Sequence, residues 1–168
     1  MIDLKILLIN LILGAMVLGS YSVLPIAIKK GISSDQLWAN ITGKYQYVYI
    51  ISIFISAFFY SYVIYFVTKY IETDKKYYTL LLLGTILFLV GAILWAPFLY
   101  LHFIKNISYI FTILALCLTT IGVLLITIYL YNRGNTLSKV AITYFLFHVF
   151  VLDNLIWSIK FTQLVNSI

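Results

Sequence analysis

The sequence predicts an all-α integral membrane protein, a bundle of five transmembrane helices joined by short loops. Three observations carry that prediction. Of the 168 residues, 64% are hydrophobic and only 10% are charged, against about 25% charged in an ordinary soluble domain. The apolar residues fall into five runs, each long enough for the roughly 20 residues that cross a hydrocarbon core about 30 Å thick. Every run ends at charges or turn residues: Lys29-Lys30-Gly31, Glu72-Thr73-Asp74-Lys75-Lys76, Lys105-Asn106 and Asn132-Arg133-Gly134-Asn135. Backbone groups cannot stay unpaired in lipid, and the alternation of a barrel strand is missing, so the runs read as helices. Residues 1–168 are expected to form a single membrane domain with spans at about 4–28, 45–68, 77–104, 108–131 and 137–159.

The first run, with Lys5 ahead of it and Val17-Leu18-Gly19 inside it, has the look of a signal peptide. It continues to Ile28, however, which is long enough to span, so an uncleaved helix is expected. Between the first two spans, Ser33 and Gln36 form a capping-box pattern, and Leu37, Trp38 and Ile41 fit one side of a short interfacial helix. Tyr45, Tyr47 and Tyr49 open the second span and Tyr65 and Tyr70 close it. Tyr77 and Tyr78 open the third, and Tyr129 and Tyr131 close the fourth, as in an interfacial aromatic belt. Ala15 and Gly19, Ser52 and Ser56, and Gly84 and Gly91 are small residues at helical spacing, where helices are expected to approach closely. Pro25 and Pro97 each remove one helical hydrogen bond, freeing the carbonyls of Tyr21 and Ile93.

Five spans put the termini on opposite sides. Basic residues are split almost evenly, but both Asn-x-Ser/Thr sequons, at Asn40 and Asn106, fall on the side away from the N-terminus, which is therefore expected to be cytoplasmic. The net charge of +6 comes from lysines standing singly or in pairs at the ends of apolar runs. That placement suits lipid headgroups, so the expected partner is the bilayer and not nucleic acid. Nothing in the pattern opposes a homo-oligomer. The one cysteine, Cys117, excludes an internal disulfide and a CxxC motif.

Polar residues gather in the membrane half opposite the N-terminus: Ser20, Tyr21 and Ser22, then Tyr49 and Ser52, then Trp95, Tyr100 and His102, then Thr112, and finally Asp153, Asn154 and Trp157. At 1.5 Å per residue from Lys139, His148 lies about 13 Å into the membrane and Asp153 about 20 Å. A carboxylate at that depth costs roughly 2.5–3.5 kcal/mol unless it is paired, hydrated or protonated. On an α-helix, five residues turn through about 140°, which points His148 away from Asp153, whereas Phe150, Asp153, Asn154 and Trp157 share a face. With both prolines at this depth, splayed helices are expected to leave a cup. The candidate ligand-binding residues are Asp153, Asn154, Trp157, His148, Trp95, Tyr100, His102 and Tyr21. Two structural alternatives stand beside that reading: Asp153 as the cap of a short final helix beginning after Leu152, or as a single interhelical hydrogen bond.

Asp153 is the only acidic residue within a span, so a two-carboxylate mechanism is excluded within one chain. HExxH, GxSxG and Walker patterns are missing, and His102 and His148 lie at depths too different to hold a haem between them. No catalytic residue, metal ligand or cofactor is assigned, and an enzyme is not expected. Five spans in this length resemble the translocator protein (tryptophan-rich sensory protein) family, and Asp153-Asn154-Leu155-Ile156-Trp157-Ser158 is similar to that family's Asn-and-Trp stretch. It stands in the last span, however, and the family's Trp- and Pro-rich segment between the first two spans is missing, so no residue is carried over. The expected function is binding or translocation of a small molecule or ion through the polar patch. The alternative is a non-catalytic membrane subunit whose patch serves helix packing or assembly.

Overall fold

A computed structural model describes residues 3–70 and 74–167. Among them the chain forms helices and no strand: α1 (Leu4–Ser20), α2 (Val23–Lys29), α3 (Ser34–Leu37), α4 (Lys44–Lys69), α5 (Lys75–Lys105), α6 (Ile110–Arg133), α7 (Thr136–Phe147), a π-helical segment (His148–Trp157) and α8 (Ser158–Val165). The helices group into five apolar spans, 4–29, 44–69, 75–105, 110–133 and 136–165, which makes this an integral multi-pass membrane protein. Of the turn expected between the second and third spans, Glu72 and Thr73 lie outside the described residues.

Local chemistry sets several helix ends. Asp3 caps α1 by accepting from the Ile6 N–H at 2.9 Å, Asp74 caps α5 from Lys76 at 3.0 Å, and Asn135 caps α7 from Ser138 at 2.8 Å. The capping box expected ahead of α3 is formed: Ser33 Oγ accepts from Gln36 N–H at 3.1 Å, and Gln36 Oε1 accepts from Ser33 N–H at 2.8 Å. Gly43, at φ +62°, and Asn106, at φ +57°, provide the left-handed residues that bound α4 and α5.

The two prolines act differently. The first span breaks at Tyr21–Ser22, and the Tyr21 carbonyl that Pro25 cannot reach is taken by Leu24 N–H at 3.0 Å. In contrast, α5 stays helical through Pro97.

α5 and α6 form the closest pair. A Cβ added to Gly91 would lie 2.6 Å from the Ala115 carbonyl oxygen, one on Gly84 would lie 2.8 Å from that of Gly122, and one on Gly122 would run into the Phe88 backbone nitrogen. The packing role expected of Gly84 and Gly91 is therefore observed, with Gly122 as their unanticipated counterpart. The first span corrects that expectation: Gly19 has nothing within 4 Å and Ala15 is exposed, because no neighbouring backbone reaches that stripe.

Two buried clusters fill the bundle. One, towards the α4 C-terminus, joins Val63, Phe66, Leu81, Ile126, Tyr129, Ile142 and Phe145. The other, at the opposite end, joins Tyr49, Leu99, Leu116, Leu152, Trp157 and Phe161 beneath Ala39 and Ile41 of the loop after α3. Large apolar side chains such as Leu18, Phe54 and Phe58 are more than 70% exposed, as a lipid-facing surface requires.

Candidate functional site

The fifth span does not end near Leu152. It runs on through the π-helical segment into α8 and reaches Val165, so Asp153 stands in mid-helix and caps nothing. The π segment also overturns the expectation that His148 faces away from Asp153. Hydrogen bonding from i to i+5 winds the chain more slowly than 3.6 residues per turn, and residues five apart return to nearly the same side. His148 Nε2 lies 3.4 Å from Asp153 Oδ2.

A tyrosine from another span sits in the ladder at this point. The Tyr49 hydroxyl, on α4, donates to the Leu152 carbonyl, five residues before the end of the π-helical segment at Trp157. A side chain inserted into the helical ladder is a recognised cause of local departure from α-geometry. Nothing within HVFVLDNLIW signals it, since the segment has neither Gly nor Pro.

The His148 ring is buried. Its Nδ1 shares a hydrogen bond with Ser52 Oγ at 2.8 Å, and Ser52 Oγ is in turn 3.1 Å from the Tyr144 hydroxyl. Tyr49, Ser52 and Ser56 are three and four residues apart and so share one face of α4. The result is a line of polar groups inside the bundle: Tyr144, Ser52, His148 and Asp153. At its end the Asp153 side chain is 33% exposed, against 6% for His148. Tyr21, at the break in the first span, and Tyr49 both lie within electrostatic range of the carboxyl. An aromatic wall continues from there, with Tyr21 edge-on to Trp95 at 5.9 Å, Trp95 edge-on to Trp157 at 5.5 Å, and Trp157 stacked on Phe161 at 4.5 Å. Among the described residues the buried indole N–H of Trp95 has no hydrogen-bond partner.

Of the eight residues singled out from the sequence, the fold thus gathers Asp153, His148, Tyr21, Trp95 and Trp157. Asn154 turns the other way. Its Nδ2 donates to Thr120 Oγ1 at 2.9 Å and to the Leu116 carbonyl at 3.3 Å, while Cys117 Sγ donates to its Oδ1 at 3.9 Å. His102 Nδ1 pairs with the Ile107 carbonyl at 2.8 Å, holding the α5–α6 turn, and Tyr100 accepts from Lys30 Nζ at 2.9 Å. The sequence reading passed over Tyr144 and placed Ser52 by depth and as a packing residue, with no place in this line. A spacing of four from Tyr144 to His148 was the available signal.

Hydroxyl, imidazole and carboxylate in a row resemble a nucleophile–base–orienter chain, but the arrangement lacks the rest of such a site. Ser52 is buried, already bonded to Tyr144, and sits in mid-helix, where backbone N–H groups are used by the helix and cannot receive an oxyanion. Two open hollows mark the surface, one lined by Asp74, Lys75, Lys76, Thr79 and Leu80, the other by Ser158, Ile159, Thr162 and Gln163. Neither reaches Asp153. Compared with known protein families, with curated proteins and with solved structures, the chain matches none of them.

Proposed function

We propose that this membrane protein binds or passes a small ion or molecule at Asp153, in the membrane half opposite an N-terminus on the cytoplasmic side. The observation that supports this best is the state of the carboxyl. It is a span-embedded acid whose partner is an imidazole on its own helix, while one third of its side chain stays open. A polar side chain used only to join helices is expected to bond to a neighbouring helix, which is what Asn154 does. The unpartnered Trp95 N–H beside Tyr21 offers a further donor in the aromatic wall. His148, Trp157 and Tyr21 complete the binding group.

Asp153→Asn keeps size and hydrogen bonding but removes the charge, whereas Asp153→Leu removes both. Under this reading the Asn variant folds with nearly the wild-type melting temperature and loses every ligand- or ion-dependent shift in melting that the wild type shows. An Asn variant that matches the wild type in all such assays defeats the reading.

The second reading, a non-catalytic subunit whose polar residues hold helices together, is favoured by the three contacts Asn154 makes to α6. It predicts that Asp153→Asn is silent and Asp153→Leu lowers the melting temperature.

A further inference from the structure

We infer that the ion taken up at Asp153 is a proton, and that Tyr49 positions the site to receive it by holding the fifth span in its π register; this rests on the reading of Asp153 as an ion-binding residue. The case for the proton is the composition of the site. Calcium is held by six to eight oxygens and magnesium by a near-octahedral set. Asp153 is a single carboxylate, and among the described residues no group of three or more His, Cys, Asp and Glu stands ready for a metal. The neighbouring Leu152 carbonyl is occupied by Tyr49. A proton needs only an acceptor and a neighbouring group to pass to, and His148 Nε2 stands 3.4 Å from Asp153 Oδ2.

The partner is present in a suitable form. A proton on Asp153 Oδ2 can be handed to His148 Nε2: an O–H bond breaks, an N–H bond forms, and a neutral pair becomes an imidazolium–carboxylate pair with the same net charge. Nδ1–H then donates to Ser52 Oγ, at 2.8 Å, and the Ser52 hydroxyl turns its own proton to Tyr144, at 3.1 Å. Each group accepts on one side and donates on the other. Among the described residues the titratable groups around the pair are Tyr21 at the α1–α2 break, Tyr49 on α4 and Tyr144 on α7. None is a second carboxylate or a lysine that competes for the proton.

Tyr49 makes the pairing geometrically available. In an α register the Leu152 carbonyl would accept from Ile156, and five residues would separate His148 and Asp153 by about 140° around the helix. With the phenol bonded to the Leu152 carbonyl, the segment takes the extra residue per turn that brings the two side chains together.

Infrared spectroscopy of the full chain in lipid nanodiscs tests both parts, because Asp153 is the only acidic residue within a span. The C=O stretch of a protonated carboxyl is followed across pH in sodium, potassium and choline chloride at equal ionic strength. Above the range near pH 4 in which water-exposed carboxyls titrate, the expected result is one pH-dependent carboxylic-acid band, the same in all three salts and lost in Asp153→Asn. The band should shift in frequency in His148→Phe, in Tyr49→Phe and, through the imidazole, in Ser52→Ala, which leaves the π ladder untouched. Absence of the band in the wild type, or its persistence in Asp153→Asn, overturns the proton assignment. Loss of the band on exchanging choline for sodium or potassium also overturns it, while leaving Asp153 as an ion site. A Tyr49→Phe spectrum that superimposes on the wild type overturns the positioning role. If that variant does not fold, an unshifted band in Ser52→Ala overturns the shared line.

Discussion

Gly84, Gly91 and Gly122 bring α5 and α6 together until an added methyl group would strike backbone, whereas Gly14 and Gly19 in the first span face open space. Both regions are long apolar helices with small residues at regular intervals, and composition does not separate them. What differs is the opposite side. α6 presents the carbonyls of Ala115 and Gly122 to α5, while α1 buries only Ile6 and α2 only Ala27. The first span is instead held by polar ties: Asp3 N–H to the Thr68 carbonyl at 2.9 Å, the Tyr60 hydroxyl to Asn10 Oδ1 at 2.6 Å, and Lys30 to Tyr100. A small residue thus marks close packing only when a neighbouring backbone arrives to use the space. Otherwise lipid fills it.

Substitutions at glycine should break this contrast most sharply. Gly122→Ala is expected to destabilise the bundle by about 1–3 kcal/mol, the usual cost of overpacking, seen as a lower thermal midpoint in detergent. Asn154→Leu removes the bonds to Thr120 and Leu116 across the packed side, and should cost about 0.6 kcal/mol and at most about 1.7 kcal/mol, read in the same melt. Tyr60→Phe cuts one tie of the sparsely packed side. Its cost should be near 0.6 kcal/mol, with faster amide exchange confined to α1. Gly19→Ala should show no loss in melting, since the methyl group meets nothing. A loss as large as that of Gly122→Ala would mean that the first span packs against a surface outside this bundle, and the contrast would fail.

Asp153 and Asn154 show the same principle one residue apart. That both polar side chains matter was legible, because a carboxylate and an amide in a run such as FVLDNLIW cannot face hydrocarbon without cost. Which way each points was not. On an ideal α-helix they share a face with Trp157 and exclude His148. The π segment sends Asp153 to His148 and Asn154 to α6.

The sequence by itself determined the five spans, the fold class and the side-chain helix caps, because hydropathy over a span and the reach of a capping side chain are properties of contiguous residues. Ser33 with Gln36, Asp74 with Lys76 and Asn135 with Ser138 interact within three positions. Tertiary structure alone decided the register of the fifth span and the use of the glycines. The bond from Tyr49 to Leu152 joins residues 103 positions apart, and Gly84 meets Gly122 across two helices. A helix's rotation and pitch respond to what its neighbours offer, and that is information no single segment contains.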